Sequence, residues 1–258
     1  MFSPASLLDV AARKVTQRVI RHAPGPRFSI KAERPIVTFT FDDIPDSALT
    51  EGAAVLEANG AKGTFYIAGG LAGAHEPDRD LITVEQIAEL SARGHEIGCH
   101  TFSHPWVRHL SPAELRRDLD RNKAFHAHHA PASQIKNFAF PYNASKIGIR
   151  GDMMDRFRTC RGGVEAVNRG PTDLAFLRSV EIRPPDAYAR TLTRWIDDAV
   201  RTPGWLIYFT HDVQARPTPF GCTPDTLDFL VRYALDHGCE VLTVDAALDR
   251  LGVPQRNS

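Results

Sequence analysis

From residue 35 almost to the end of the chain, short runs of β-branched and aromatic residues alternate with helix-forming segments, which leaves few folds open. Ile36-Val37-Thr38-Phe39-Thr40-Phe41 reads as a strand, and Asp46 to Ala58 as a helix closed by Asn59-Gly60. Gly63 to Ala68 gives the next strand, followed by a Gly-rich, polar loop up to Asp80. Thr83 opens a helix through a capping box with Gln86, Gly94 ends it, and His95 to Cys99 forms a short strand. Ser111-Pro112-Ala113-Glu114 combines a side-chain cap, proline at the first helical position and glutamate at the third. Asn137 to Phe140 is a strand ending at Pro141, and Phe157 to Cys160 and Leu177 to Ile182 are further strand segments. A helix over Ala187 to Val200 precedes the apolar strand Trp205-Leu206-Ile207-Tyr208-Phe209. Thr223-Pro224 starts a long helix that stops at His237-Gly238, and Glu240 to Thr243 closes the series as a strand.

Seven or eight such β/α units imply a largely parallel sheet, closed as a barrel or left open. In either form functional residues gather beyond the carboxyl ends of the strands. The polar motifs obey that rule: Asp42-Asp43, His100 with His104, Pro141-Tyr142 and His211-Asp212 each follow a strand. They are expected to converge on one rim.

The chemistry is concentrated in two of these motifs. Asp43, His100 and His104 form a carboxylate–imidazole–imidazole set suited to a catalytic divalent metal with open positions. Adjacent carboxylates raise each other's pKa, so a cation on Asp43 leaves Asp42 as a carboxylate able to handle a proton. Taken alone, a double aspartate can equally form a helix cap or an Asx turn. His100 and His104 are four apart, with Pro105 restricting the chain to a single turn or loop. His211, delivered to a strand end beside Asp212, suits a general acid. His126, His128 and His129 read instead as the polar end of a helix.

Composition narrows the function classes. The 258 residues are 43% hydrophobic and 24% charged with zero formal net charge, so nothing global points to nucleic acid. Arg13, Lys14, Arg18, Arg21 and Arg27 are expected on the solvated face of a helix, within an N-terminal helical extension over 1–34. Charges interrupt any secretory leader, no apolar run approaches a membrane span, and four cysteines are scattered without a C-x-x-C pair. A cytoplasmic protein with free thiols is the expectation. Two histidines and one carboxylate also describe non-haem Fe(II) oxygenases, but those usually occupy all-β jelly rolls, against which the β/α alternation argues.

The motifs, in order, resemble those of the NodB-homology polysaccharide deacetylases (carbohydrate esterase family four). Thr40-Phe41-Asp42-Asp43 is similar to the first motif and His100-Thr101-Phe102-Ser103-His104 to the second. Phe140-Pro141-Tyr142 is similar to the core of the third, and Phe209-Thr210-His211-Asp212 to the last. The resemblance runs from about residue 35 to 245 and implies a distorted (β/α) barrel of about seven strands, here a domain over 35–258. It implies zinc, or Co²⁺, Ni²⁺ or Mn²⁺, on Asp43, His100 and His104. Asp42 is then the base, the backbone N–H of Tyr142 after Pro141 an oxyanion donor, and His211 the acid. The implied partner is an acetylated carbohydrate, the implied reaction N-deacetylation of an amino sugar, oligosaccharide or polysaccharide precursor. Deformylation or cyclic-amide hydrolysis on the same fold is the neighbouring reading, and an inactive sugar-binding protein a reading of another class. The third-motif arginine that orients the base and the fourth motif that supports the histidine are missing. Arg161, Arg183 and Asp186 are available in their place, and Asn143 stands where glycine is common.

Overall fold

The computed structural model describes residues 25–184 and 189–255. Strands β1 (Arg27–Ile30) to β12 (Glu240–Val241) include β2 (Ile36–Asp42), β3 (Thr64–Ile67), β6 (Glu96–Cys99), β7 (Asn137–Ala139) and β8 (Thr159–Arg161). Further strands are β9 (Gly170–Asp173), β10 (Val180–Glu181) and β11 (Trp205–Thr210). The main sheet runs β10-β11-β2-β3-β6-β7-β8, with every pairing parallel and β12 beside the start of β2. It curls into an open barrel of seven strands, as the motif resemblance implies. Helices α1 (Ala54–Ala58), α2 (Val84–Ala92) and α3 (Pro112–His129) precede α4 (Arg150–Arg156), α5 (Ala189–Arg201), α6 (Pro224–Asp236) and α7 (Val244–Arg250).

β2 and β11 are buried at every position, as befits central strands of a sheet covered on both faces. Period-two alternation divides β2 between two cores. Val37, Phe39 and Phe41 pack with Leu192 and Ile196 of α5 and Leu227 and Leu230 of α6. Ile36 faces the other core with Tyr66, Phe138, Cys160 and Trp205. Burying each large side chain contributes roughly 1.5–3 kcal/mol. On this second face Trp205 Nε1 donates to Thr38 Oγ1 (2.9 Å), and the row continues through Thr40 to Asp42. The strand that builds the core therefore also aims Asp42 into the barrel.

Both expected capping boxes form, at Thr83 and Ser111. The helix expected over Asp46 to Ala58 forms, with a π-wound stretch over Ala48–Ala53 ahead of α1, and Ser47 Oγ accepts from Val213 N (3.3 Å). Of the expected helical extension over 1–34, residues 1–24 lie outside those described. Arg27–Ile30 is not helical: it forms β1 and pairs antiparallel with β9, where Ile30 is buried. The loop expected up to Asp80 holds a small hairpin, β4 (His75–Glu76) and β5 (Arg79–Asp80). It is tied back to the first motif by a Pro45–Leu81 bridge and by Ile82 N donating to Ile44 O (3.0 Å). All four cysteines are free thiols, and no described helix is long and apolar enough to cross a membrane.

Candidate active site

Three rim loops, after β2, β6 and β7, carry every non-glycine residue with positive φ among the described residues: Asp43, Ile44, Thr101, His104, Tyr142 and Asn143. Ile44 (φ 56°) and Thr101 (φ 65°) are β-branched, for which this region is strongly disfavoured. Each such residue costs of order 1–3 kcal/mol and persists only where its surroundings impose it. Strain confined to one rim among the described residues points to that rim as the candidate site.

The loop after β6 is held by a residue that sequence reading missed. Asp118, buried on α3, accepts from Phe102 N (2.6 Å) and Ser103 N (3.3 Å) and from the Ser103 hydroxyl. His104 N donates to Thr101 Oγ1 (3.1 Å). The turn thereby brings His100 Nε2 and His104 Nε2 to 3.3 and 2.8 Å from Asp43 Oδ1. All three residues are buried, and one donor atom from each lies within 4.8 Å of the others. His100 Nδ1 donates to Ala139 O (2.8 Å), since a carbonyl can only accept. A neutral His100 then points the Nε2 lone pair at a carboxylate oxygen. Two acceptors face one another there, so the geometry fits a cation between them, with the backbone fixing the imidazole tautomer as in metal sites. Burial alone would push the Asp43 carboxyl up. The charge of His104, with the His100 and His211 imidazoles beside it, holds it well below the usual range.

Asp42 is oriented by Arg161 from β8. The fully buried guanidinium bonds Asp42 Oδ2 through Nη2, and its Nη1 reaches Asn143 Oδ1 (3.1 Å) and Ser179 Oγ (3.2 Å). The Tyr66 and Phe209 rings flank it, at 5.4 and 4.7 Å from ring centroid to guanidinium carbon. Of the three residues available for the missing arginine, Arg161 is thus the one at Asp42. Arg183 is half exposed and pairs with Glu181 (3.4 Å), and Asp186 lies outside the described residues. Asp42 Oδ1 is buried with no hydrogen-bond partner among the described residues. Asn143 adopts φ 53°, a conformation asparagine tolerates in place of glycine, and its side chain joins this network.

Pro141 and Tyr142 follow β7, and Tyr142 is left-handed (φ 56°, ψ 17°). The Tyr142 ring packs on His104 (4.7 Å) and lies flat on Trp106, with centroids 4.2 Å apart and planes inclined by 4°. That face of Trp106 is therefore occupied by protein. Burial pushes the Tyr142 hydroxyl up to about 12, helped by the charges of Asp43 and Glu76.

His211 closes the ring of groups, its Nε2 3.8 Å from Asp43 Oδ2. No carboxylate among the described residues supports its Nδ1, which donates to the Phe220 carbonyl (3.1 Å) and so fixes the exchangeable proton on Nε2. Asp212 turns away and braces the following loop, accepting from Thr218 N (2.8 Å), Thr218 Oγ1 (2.5 Å) and Gln214 Nε2 (2.9 Å). A second arginine, not singled out in the sequence, enters from the hairpin. Arg79, about nine-tenths buried, bonds Glu76 Oε2 (2.6 Å) and Asp43 Oδ2 (3.3 Å).

The chain matches the polysaccharide deacetylase family over residues 29–150. It is 27% identical over 198 residues to the chitooligosaccharide deacetylase of Sinorhizobium fredii, covering 69% of this chain and 86% of that one. A family 4 acetyl xylan esterase from Clostridium thermocellum, solved with a cobalt ion, superposes with a TM-score of 0.60. That pair is 25% identical, over 85% of this chain and 93% of the other. A family 4 pseudoenzyme from Bacillus anthracis shares the fold (TM-score 0.62, 15% identity, 90% and 72% coverage), so the fold alone does not carry activity. Motif order, barrel and these likenesses make the chain similar to the polysaccharide deacetylases.

Proposed function

We propose that the protein is a divalent-metal-dependent hydrolase that removes N-acetyl groups from an amino sugar, free or within an oligosaccharide or polysaccharide precursor. The observation that carries this reading is the meeting of two devices on one rim. A buried Asp–His–His set fit for a cation stands beside a carboxylate clamped at one oxygen and open at the other. A retired site has no use for both.

Asp43, His100 and His104 would hold the ion, with zinc first among the candidates and Co²⁺, Ni²⁺ or Mn²⁺ as alternatives. Such an ion supplies a Lewis acid for the carbonyl oxygen and lowers the pKa of water. Asp42, oriented by Arg161, takes the proton of the attacking water at Oδ1. The N–H of Tyr142, set by the Pro141 turn, donates to the oxygen as negative charge develops. Losing one such donor typically costs roughly 3–4 kcal/mol. His211 gives its Nε2 proton to the departing amine while its Nδ1–H remains on the Phe220 carbonyl.

The test is release of acetate from N-acetylated chitooligosaccharides, with formate release from N-formyl counterparts measured alongside. Acetate release should stop with chelator and return with added Zn²⁺. Asp42→Asn should retain the metal, measured by elemental analysis, and lose about 10²–10⁴-fold in turnover. Chelator-resistant acetate release overturns the metal's role, and formate as the sole product changes the acyl group. Sugar binding without any release identifies a non-catalytic binding protein.

A further inference from the structure

Phe220 is the most exposed of the large hydrophobic residues among those described, 56% accessible, and it sits beside the catalytic rim rather than on a helix back. Its ring centroid is 5.7 Å from that of His211, inclined by 58°. The loop that presents it is rigidly built. Asp212 takes three hydrogen bonds from Gln214 and Thr218. Its carbonyl accepts Cys222 N (2.9 Å), and Gln214 N closes the loop on Cys222 O (3.1 Å). Pro217 and Pro219 restrict the chain on either side of Thr218. Gly221 permits the return, since a Cβ there would meet Asp212 atoms at 2.4 Å. The Phe220 carbonyl accepts from both His211 Nδ1 (3.1 Å) and Thr210 Oγ1 (3.4 Å). A braced loop thus holds an apolar ring in water next to the group assigned to the leaving amine.

We propose that Phe220 is a sugar-contacting residue: its ring takes the apolar C–H face of the amino-sugar ring bearing the leaving amine, while its carbonyl orients His211. This rests on the function proposed above and adds to it the subsite on the amine side. The chemistry of the occupant follows from the surface: a flat aromatic face without a polar handle buries the C–H face of a pyranose. Two other aromatics of the rim, Trp106 and Tyr142, are stacked on one another. Because the loop is already ordered, little conformational freedom is lost on binding.

The backbone role and the ring role separate cleanly by mutation. Phe220→Ala removes the ring and keeps the carbonyl. With N-acetylated chitooligosaccharides it should raise KM about tenfold, the size expected for losing one stacked apolar face, and change kcat less than about twofold. The pH profile of kcat should keep its shape, since His211 retains its acceptor. Phe220→Trp should restore KM, and Phe220→Leu, apolar but not flat, should resemble alanine. In Phe220→Trp, indole fluorescence should also respond to these oligosaccharides in the Asp42→Asn background, where no turnover intervenes. An unchanged KM in Phe220→Ala, or a fall in kcat with an altered pH profile, overturns the sugar contact while acetate release by the wild type stands. A wild type that releases no acetate from any acetylated sugar overturns the function itself and this subsite with it.

Discussion

Two carboxylates at opposite ends of the sheet, Asp43 buried and Glu96 half-buried, live under opposite terms. At the carboxyl end, imidazoles hold Asp43 well below the usual carboxylate range. At the amino end, burial pushes Glu96 up, although Asp245 N–H, Asn137 and Thr64 all donate to it. Those donors are neutral and complete: Asn137 Nδ2 reaches Oε1 (2.7 Å), while Thr64 Oγ1 (2.9 Å) and Asp245 N (2.8 Å) share Oε2. The cluster staples the start of α7 to β3, β6 and β7 and asks for nothing further. The carboxyl end leaves Asp42 Oδ1 and Arg79 Nη1 buried without a hydrogen bond among the described residues, on a strained backbone. Polar groups saturated by neutral donors build structure; those set among cations and left open serve chemistry.

The sharpest way to break this contrast is at Arg161. If its work is to aim Asp42, Arg161→Lys should keep the positive charge, lose the fork and fall about 10²–10³-fold in kcat. Arg161→Met should fall at least as far and also lose about 3–5 kcal/mol of stability, because a buried Asp42 is left uncompensated. The discriminating measurement is a double-mutant cycle. In an Asp42→Asn background, Arg161→Lys should cost little more in kcat, because the two act as a unit. Additive losses would show that Arg161 acts elsewhere.

The same contrast explains what could be read in the sequence. Asp42, Asp43, His100 and His104 were legible because each motif lies on one short loop, where local spacing implies proximity. Pro141-Tyr142 and His211 were legible as residues following apolar strands. Arg161 reaches Asp42 across 119 positions, and nothing local to β8 distinguishes it from Arg183. Arg79 sits on two-residue strands with no alternating pattern, so its segment reads as a loop. The support for His211 is a backbone carbonyl, which no side-chain pattern can announce. In the fold, the parallel order followed from β/α alternation, whereas β9 and α4 were missed because their residues lack a clear period. α7 did carry a signal, the Thr243 cap bonded to Ala246 N, hidden by extending the last strand over it.

A second test lies in histidines, which are also of two kinds. His95 at the amino end accepts from Gly63 N at Nδ1 (3.1 Å) and donates from Nε2 to Glu57 (3.1 Å). Burial pushes it down to about 4, against the pull of Glu57. Between about pH 6.5 and 4 the unfolded chain binds a proton that the folded chain refuses, so stability falls as pH falls. At roughly 1.4 kcal/mol per pH unit the full loss is on the order of 3 kcal/mol. Urea unfolding with chelator present, at pH 7, 5.5 and 4.5, should show His95→Gln losing less on acidification than the wild type. Parallel losses would mean that His95 is not held neutral.

The smallest effect is expected at Glu96, where the structure-building reading is most exposed to contradiction. Glu96→Gln keeps an oxygen for Thr64 and Asp245 N and turns its new amide towards Asn137. Asn137 can rotate its amide to present Oδ1, and the Thr159 hydroxyl that now donates to that oxygen (2.7 Å) can turn to accept. The network survives with every group paired, so at pH 7 stability should change by no more than about 1 kcal/mol and kcat should not change. The pH dependence has a fixed sign. A carboxyl raised in the folded state adds stability that is fully present below the unfolded pKa and lost as pH rises through the folded one. The wild type should therefore gain on Glu96→Gln as pH falls through the raised folded pKa, a difference readable in the same urea titrations. A loss of several kcal/mol in Glu96→Gln at neutral pH would show that the charge itself holds this end together. The distinction between neutral saturation at one end of the sheet and charged, open chemistry at the other would then fail.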